Sequence, residues 1–305
     1  MSRIKIFNAK RCVAVFMAML ITVLSLSYAN NNRANATDTN SDIKYYVYNA
    51  QTGVKIPNRD YTLSKLSSSN NTRAVIGEDQ RYVDWTKSGV VKIITDYDEE
   101  YYKMSSGFVV SDHVIATAAH CVYNQKISKI LLFDSNGKEV MNATPVEYHV
   151  PVDFINALSE NDNKYTPTSD YALITVSDNL ESFNNFKLGV TLKSFDKSYS
   201  TVNVTGFPKT IGKPGKEIYV NDDTKHFMYT GGGLIKSNEY VDDKLMTYVA
   251  DMSGGDSGGP VYIIESLNDE KYYTVVGINI AEPYVEKPLY NIGTRMTTDL
   301  IHFYT

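Results

Sequence analysis

"MSGGDSGGPVY", residues 252–262, sets four glycines (Gly254, Gly255, Gly258, Gly259) around one hydroxyl, Ser257. Asp256 precedes that serine, and Pro260 opens an apolar run, "PVYII" (260–264). Glycines beside a serine let backbone N–H groups converge with no Cβ in the way. A hydroxyl is a weak nucleophile at neutral pH. It needs a base, a group that orients the base, and donors for a developing oxyanion. The amides of Gly255 and Ser257 are the natural donor pair.

Outward from this stretch, short apolar runs recur between turn residues: "GVVKIIT" (89–95), "GFVVSDHVIATAAH" (107–120), "KILLF" (129–133), "YALITV" (171–176), "STVNVTGF" (200–207) and "YTVVGINI" (273–280). They are strand-length and rich in Val, Ile, Tyr and Thr. Many short strands with no long helical period predict an all-β sandwich or barrel. "TTDLIHFY" (297–304) predicts a short C-terminal helix.

Five histidines could supply the base: His113, His120, His149, His226 and His302. His120 stands out because it closes an apolar strand in small residues, "VIATAAHC", which leaves room for an imidazole to face a cleft. A lone histidine at a strand end is more commonly a packed one. Asp170 opens "SDYALITV" at the mouth of a buried strand and could orient a base, with Asp153 and Asp162 as nearby competitors. Aspartate in such a place more commonly makes a turn. The histidines are scattered and no HExxH spacing occurs, so neither a metal site nor a cofactor is expected.

The N-terminus reads as an export signal. Arg3, Lys5, Lys10 and Arg11 precede an apolar stretch from Cys12 to about Leu26, and small-residue cleavage sites follow at Ser27-Tyr28-Ala29 and Ala34-Asn35-Ala36. The alternative is a retained anchor, for which the apolar run is short. Residues 1–29 are therefore expected to be a signal peptide, cut there or as late as 36. Residues 30–73, polar and ending in "LSSSNNTR" (66–73), are expected to be a propeptide with an exposed linker. Residues 74–305 form the main domain. The chain's net charge of −5 is uneven: residues 1–73 hold ten Lys/Arg and three Asp/Glu, leaving 20 and 32 in the remainder, a net −12. That sign argues against nucleic acid and anionic membrane surfaces as partners. Loss of Cys12 with the signal leaves Cys121 as the one thiol of the exported chain.

"TAAHC" (117–121), "DYALI" (170–174) and "GDSGGP" (255–260), in the order His, Asp, Ser, resemble the chymotrypsin-like serine proteases. The resemblance implies two antiparallel six-stranded β-barrels with the active site between them. His120 would be general base, Asp170 its orienter and Ser257 the nucleophile. "RAVIGEDQR" (73–81), "VTGFP" (204–208) and "YNIGTRMT" (290–297) are similar to the secreted bacterial V8-like, or glutamyl, endopeptidases. By resemblance the protein is thus a secreted, monomeric bacterial zymogen acting on proteins or peptides. In animal relatives a cysteine after the histidine is bridged to one upstream; here Ser105 takes the upstream place, which implies a free, buried Cys121.

Four positions bear on substrate choice. Relatives that cleave after glutamate usually have Thr or Ser where Met252 stands, and His where Asn279 stands. Asp251 falls where trypsin-like enzymes hold the acid that binds Lys or Arg, and Glu282 where a glycine often lines the pocket entrance. The extra carboxylates would repel an acidic side chain, so a weakened glutamate preference is expected. Asp256 resembles the aspartate that pairs with a freed N-terminal amine in chymotrypsin-type zymogens. Cleavage after Arg73 or Ala74 would free such an amine, and a chain keeping residues 30–73 is then expected to be inactive. Two other readings are a catalytically silent homologue that binds a host or cell-wall protein, and a highly selective enzyme resembling the exfoliative toxins.

Overall fold

A computed structural model describes residues 43–63, 79–96, 102–160, 167–183, 186–191, 200–212, 216–236, 243–281 and 290–305. The signal segment, the linker 64–78 and Glu282 lie outside the described residues. In chain order the strands are β1 (Ile43–Asn49), β2 (Tyr61–Leu63), β3 (Tyr82–Val83), β4 (Val90–Asp96), β5 (Tyr102–Ser111), β6 (Val114–Thr117), β7 (Lys126–Phe133), β8 (Glu139–Asn142), β9 (Pro145–Pro151) and β10 (Ala172–Val176). Then follow β11 (Phe186–Leu188), β12 (Thr201–Gly206), β13 (Thr210–Ile211), β14 (Ile218–Tyr219), β15 (Tyr229–Lys236), β16 (Leu245–Tyr248), β17 (Pro260–Leu267), β18 (Glu270–Ala281) and β19 (Asn291–Arg295). Among the described residues three α-helices accompany them: α1 (Ala119–Val122), α2 (Val152–Glu160) and α3 (Thr298–Tyr304). The apolar runs singled out in the sequence lie on strands, except that "GFVVSDHVIATAAH" spans β5 and β6 and ends on α1, and "TTDLIHFY" holds α3 with its cap Thr297.

Two large sheets carry the fold. In the C-terminal one, β18-β17-β12-β15-β16-β19 are hydrogen-bonded in that order, and β19 pairs back onto β18, closing a six-stranded barrel. Its centre holds Val202, Val204, Met246, Tyr248, Val261 and Val276, all buried. The N-terminal sheet runs β2-β1-β9-β10-β6-β5-β4-β7-β8. Phe108, Ile115, Ile130, Leu132 and Ile174 fill its core with no exposed surface. Each such side chain contributes about 1.5–3 kcal/mol by leaving water. The all-β class, the chymotrypsin-like barrel architecture and the short terminal helix are as expected.

Residues 43–63, within the segment read as a propeptide, supply two strands to the N-terminal sheet. β1 pairs with β9 from Tyr45↔Pro151 to Asn49↔Glu147. Ala50, at its end, donates to Val146 O (3.1 Å) and accepts from Ile127 N (2.8 Å), so the segment joins β9 to β7. Tyr45, Val47, Tyr48 and Ala50 are buried. α3 packs on β1 through Phe303, stacked on Tyr45, and on β10 through Tyr304, whose Oη donates to Ala172 O (3.1 Å); Thr297 caps it by accepting from Leu300 N (3.2 Å).

Candidate active site

Strand register brings the first two candidates together. β6 and β10 are antiparallel with Thr117 opposite Ala172. His120 lies three residues beyond Thr117, and Asp170 two before Ala172, so both emerge at the same end of the pair. His120 sits on the short helix α1, entered through the extended Ala118. Its Nδ1 is 2.6 Å from Asp170 Oδ2, and its backbone N donates to Asp170 Oδ1 (2.9 Å). Asp170 is completely buried and its backbone oxygen accepts from Thr294 Oγ1 (3.2 Å). Burial works against a charged imidazole, but the adjacent Asp170 carboxylate outweighs it and lifts His120 above its ordinary value. With Nδ1 facing Asp170, Nε2 is the other ring nitrogen, and it lies 3.6 Å from Cys121 Sγ. Asp153 lies on α2, and Asp162 is outside the described residues.

Ser257 is held from the other barrel's side. Its carbonyl accepts from Ser106 N on β5 (2.7 Å), a bond from the N-terminal sheet to the loop that carries Ser257. Two of the glycines are required by their backbone geometry. Gly255 has φ +103° and Gly258 φ +81°, both in the left-handed region. A Cβ at Gly255 would fall on the Phe207 carbonyl, and one at Gly258 on Thr117 Oγ1 and Ser106 O. Gly254 O accepts from Lys209 N (2.6 Å) and Gly255 O from Ser106 Oγ (2.8 Å). In a trans peptide N–H points opposite to C=O, so the Gly255 N–H is turned away from Lys209. His120, Cys121, Gly254, Gly255 and Ser257 line one cavity of about 250 Å³, together with Tyr102, Lys103 and Lys209. Cys121 is free and buried, and Ser105 is buried on β5.

Of the four candidate specificity residues, three are described and all are buried. Asp251 Oδ2 accepts from Gln80 N (2.8 Å). Met252 belongs to the C-terminal barrel core. Asn279 accepts from Tyr248 Oη (2.8 Å) and donates through Nδ2 to Asp256 O (2.6 Å). Its backbone also brackets the loop that carries Ser257, accepting from Gly258 N (2.7 Å) and donating to Gly259 O (2.8 Å). None of the three lines the cavity beside His120.

Two residues that sequence reasoning passed over complete the surroundings. Ser106 touches the loop twice, through its N to Ser257 O and its Oγ to Gly255 O, and its Oγ also accepts from Phe207 N (2.9 Å). Its signal was a serine pair interrupting an apolar strand. Arg81 sits against Asp256 with Nη1 3.2 Å from Oδ2. Among the described residues no cluster of three or more His, Cys, Asp or Glu could hold a metal, and no helix is long and apolar enough to cross a membrane.

Comparison with known proteins places this arrangement. A search of curated proteins found no match in sequence. Among solved structures the fold is similar to a Glu endopeptidase in complex with MPD, at 18% identity and a TM-score of 0.54, covering 75% of this chain and 97% of that one. Two inactivated protease paralogues of the scabies mite are also similar. S-I1 shares 16% identity (TM-score 0.52; 74% of this chain, 97% of that one), and S-D1 14% (TM-score 0.52; 75% and 95%). At these identities the likeness is one of fold. The sequence model of the trypsin family, described as "Trypsin", matches residues 75–301, about three quarters of the chain, and the chain therefore belongs to the trypsin family of chymotrypsin-fold serine proteases.

Proposed function

We propose that the protein is an exported serine endopeptidase that hydrolyses peptide bonds through an acyl-enzyme. The observation that carries this reading is the 2.6 Å contact of His120 Nδ1 with buried Asp170, at a cavity that Ser257 and Gly255 also line. His120 Nε2 takes the Ser257 proton as Oγ attacks the scissile carbonyl, then returns it to the leaving amine. Asp170 fixes the tautomer and stabilises the imidazolium. The N–H groups of Gly255 and Ser257 receive the oxyanion, each worth on the order of 10²–10³ in rate. Residues 1–29 act as the signal, and cleavage near residues 73–75 separates the upstream segment from the chain that carries the triad. The protein acts as a monomer on peptides or proteins, outside the cell. Asp251, Met252, Asn279 and Glu282 are assigned to the P1 preference, the first three acting through the Ser257 loop because none of them lines the cavity, and cleavage after glutamate is disfavoured.

Casein digestion by the purified chain beside Ser257→Ala tests the reaction. Loss of digestion in the variant supports it; equal behaviour of the two chains would instead favour a silent homologue, a reading kept alive by the inactivated mite paralogues of the same fold. A peptide library then tests the P1 preference, and clean cutting after glutamate would overturn that part.

A further inference from the structure

Asp256 is buried beside the candidate nucleophile, and a buried carboxylate needs a cation or several donors. The chymotrypsin resemblance would assign it a freed N-terminal amine. In this structure its Oδ2 already accepts from Ser253 N (2.9 Å) and from Arg81 Nη1 (3.2 Å). The Arg81 side chain is only 3% exposed, and that of Asp256 2%.

All five guanidinium N–H groups are used. Nε and Nη2 grip Asp79 as a fork (2.9 and 2.7 Å), and Nη2 also donates to Thr210 O (3.1 Å). Nη1 donates to Ser253 Oγ (2.9 Å) as well as to Asp256. Asp79 in turn accepts from Gly212 N (2.6 Å), and Ser253 Oγ donates to Thr210 O (2.6 Å). The backbone on either side is fixed too: Gln80 N donates to Asp251, and Tyr82 and Val83 pair with β15. Arg81 thus ties the start of the nucleophile loop to the 210–212 turn, in a structure where residues 43–63 are in place as strands.

We propose that Arg81 is the positioning residue of the nucleophile loop: its guanidinium, carried within the chain, is the counter-ion of Asp256, so the site is assembled without a freed N-terminal amine. This replaces the expectation that a chain keeping residues 30–73 is inactive, and it rests on the reading of Ser257 as nucleophile. Arginine suits the task better than a terminal amine would, because its planar fork fixes direction as well as charge.

A fluorophosphonate probe tests it. Ser257 Oγ would form a bond to phosphorus, the P–F bond would break, fluoride would leave, and the serine proton would pass to His120. The chain of residues 30–305 is treated with the probe, and intact mass is read on the labelled species. The expected result is a labelled, uncut chain, with no label on Ser257→Ala, and a rate unchanged by a cut within residues 64–78. Label found only on cut chains overturns the inference while leaving the protease reading standing. Label on neither form overturns both. Arg81→Met should slow labelling by about tenfold or more, with Arg81→Lys between. The double variant Arg81→Met/Asp256→Asn should return to within about threefold of Asp256→Asn alone, since a neutral residue 256 needs no cation. A merely structural arginine would lower the thermal midpoint without that rescue. Labelling of Arg81→Met at the wild-type rate overturns the proposal; if that variant fails to fold, the uncut-chain measurement still decides.

Discussion

Tyr45 and Phe303 stack face to face, with ring centroids 4.4 Å apart and planes 13° from parallel. The first described strand is thereby fastened to the last helix, and Tyr171 packs edge-on against the same Phe303 ring. Together with the β1–β9 ladder, this contact predicts that residues 43–63 remain docked after a cut within residues 64–78. Limited proteolysis should give two pieces on a denaturing gel that travel together on a native sizing column. Separation of the pieces on the native column would count against it. Phe303→Ala should lower stability by about 3–5 kcal/mol in urea unfolding, the usual cost of emptying an aromatic site.

The His120–Asp170 pair predicts a pH profile. Burial opposes the imidazolium and Asp170 more than compensates, so the ring holds its proton above the ordinary histidine value of 6.5. The base must be neutral to accept the serine proton. Activity should therefore rise with pH, and its acid limb should have a midpoint above 6.5. Asp170→Asn removes the carboxylate, should move that limb to lower pH, and should reduce kcat by about 10⁴ through loss of the correct tautomer. Initial rates on a peptide ester from pH 5 to about 10 check both. An acid limb that stays in place in Asp170→Asn would separate His120 from the base role.

The triad candidates were legible because each is tied to a short local pattern, and strand register does the rest: Thr117 opposite Ala172 suffices to join His120 to Asp170. β1 was hidden by composition. "IKYYVYN" does alternate, with Ile43, Tyr45 and Val47 buried, but it lies in a stretch whose average is Asn-, Ser- and Thr-rich. Arg81 was hidden by distance, its partner Asp256 being 175 positions away. Lys92 gave no signal of its own within the apolar run "GVVKIIT", and every residue from Val90 to Thr95 is buried. The lysine tip satisfies a loop from another part of the chain.

Gly255 and Ser106 predict different losses. Gly255→Ala must place a side chain at φ +103° and onto the Phe207 carbonyl, so the N–H proposed as oxyanion donor is displaced. Activity should fall by about 10²–10³. Ser106→Ala keeps the backbone bond to Ser257 but frees two buried groups, Gly255 O and Phe207 N. It should cost about 1–3 kcal/mol of stability and a smaller share of the rate. Steady-state kinetics beside urea unfolding separates the two, and a Gly255→Ala enzyme of wild-type rate would remove the residue from the oxyanion site.

Lys92 predicts an alkaline signature of stability. Its ammonium is buried and donates to the carbonyls of Asp222 and Lys225 (2.7 Å to the latter), which fixes the turn carrying Asn221 to the rim of the cavity. Burial pulls its value from 10.5 down to about 8, against the pull of Asp222 and Asp223. Between those two values the unfolded chain binds more protons than the folded one, so this group's contribution to stability rises with pH. Lys92→Met should lose about 1–3 kcal/mol at pH 7.5, because the carbonyls are left unsatisfied. Its deficit relative to wild type should then widen towards pH 10, since only the wild type sheds the cost of the buried charge. Urea unfolding of both chains across that range measures the difference, and a deficit that narrows with pH would show that Lys92 is not held below its ordinary value.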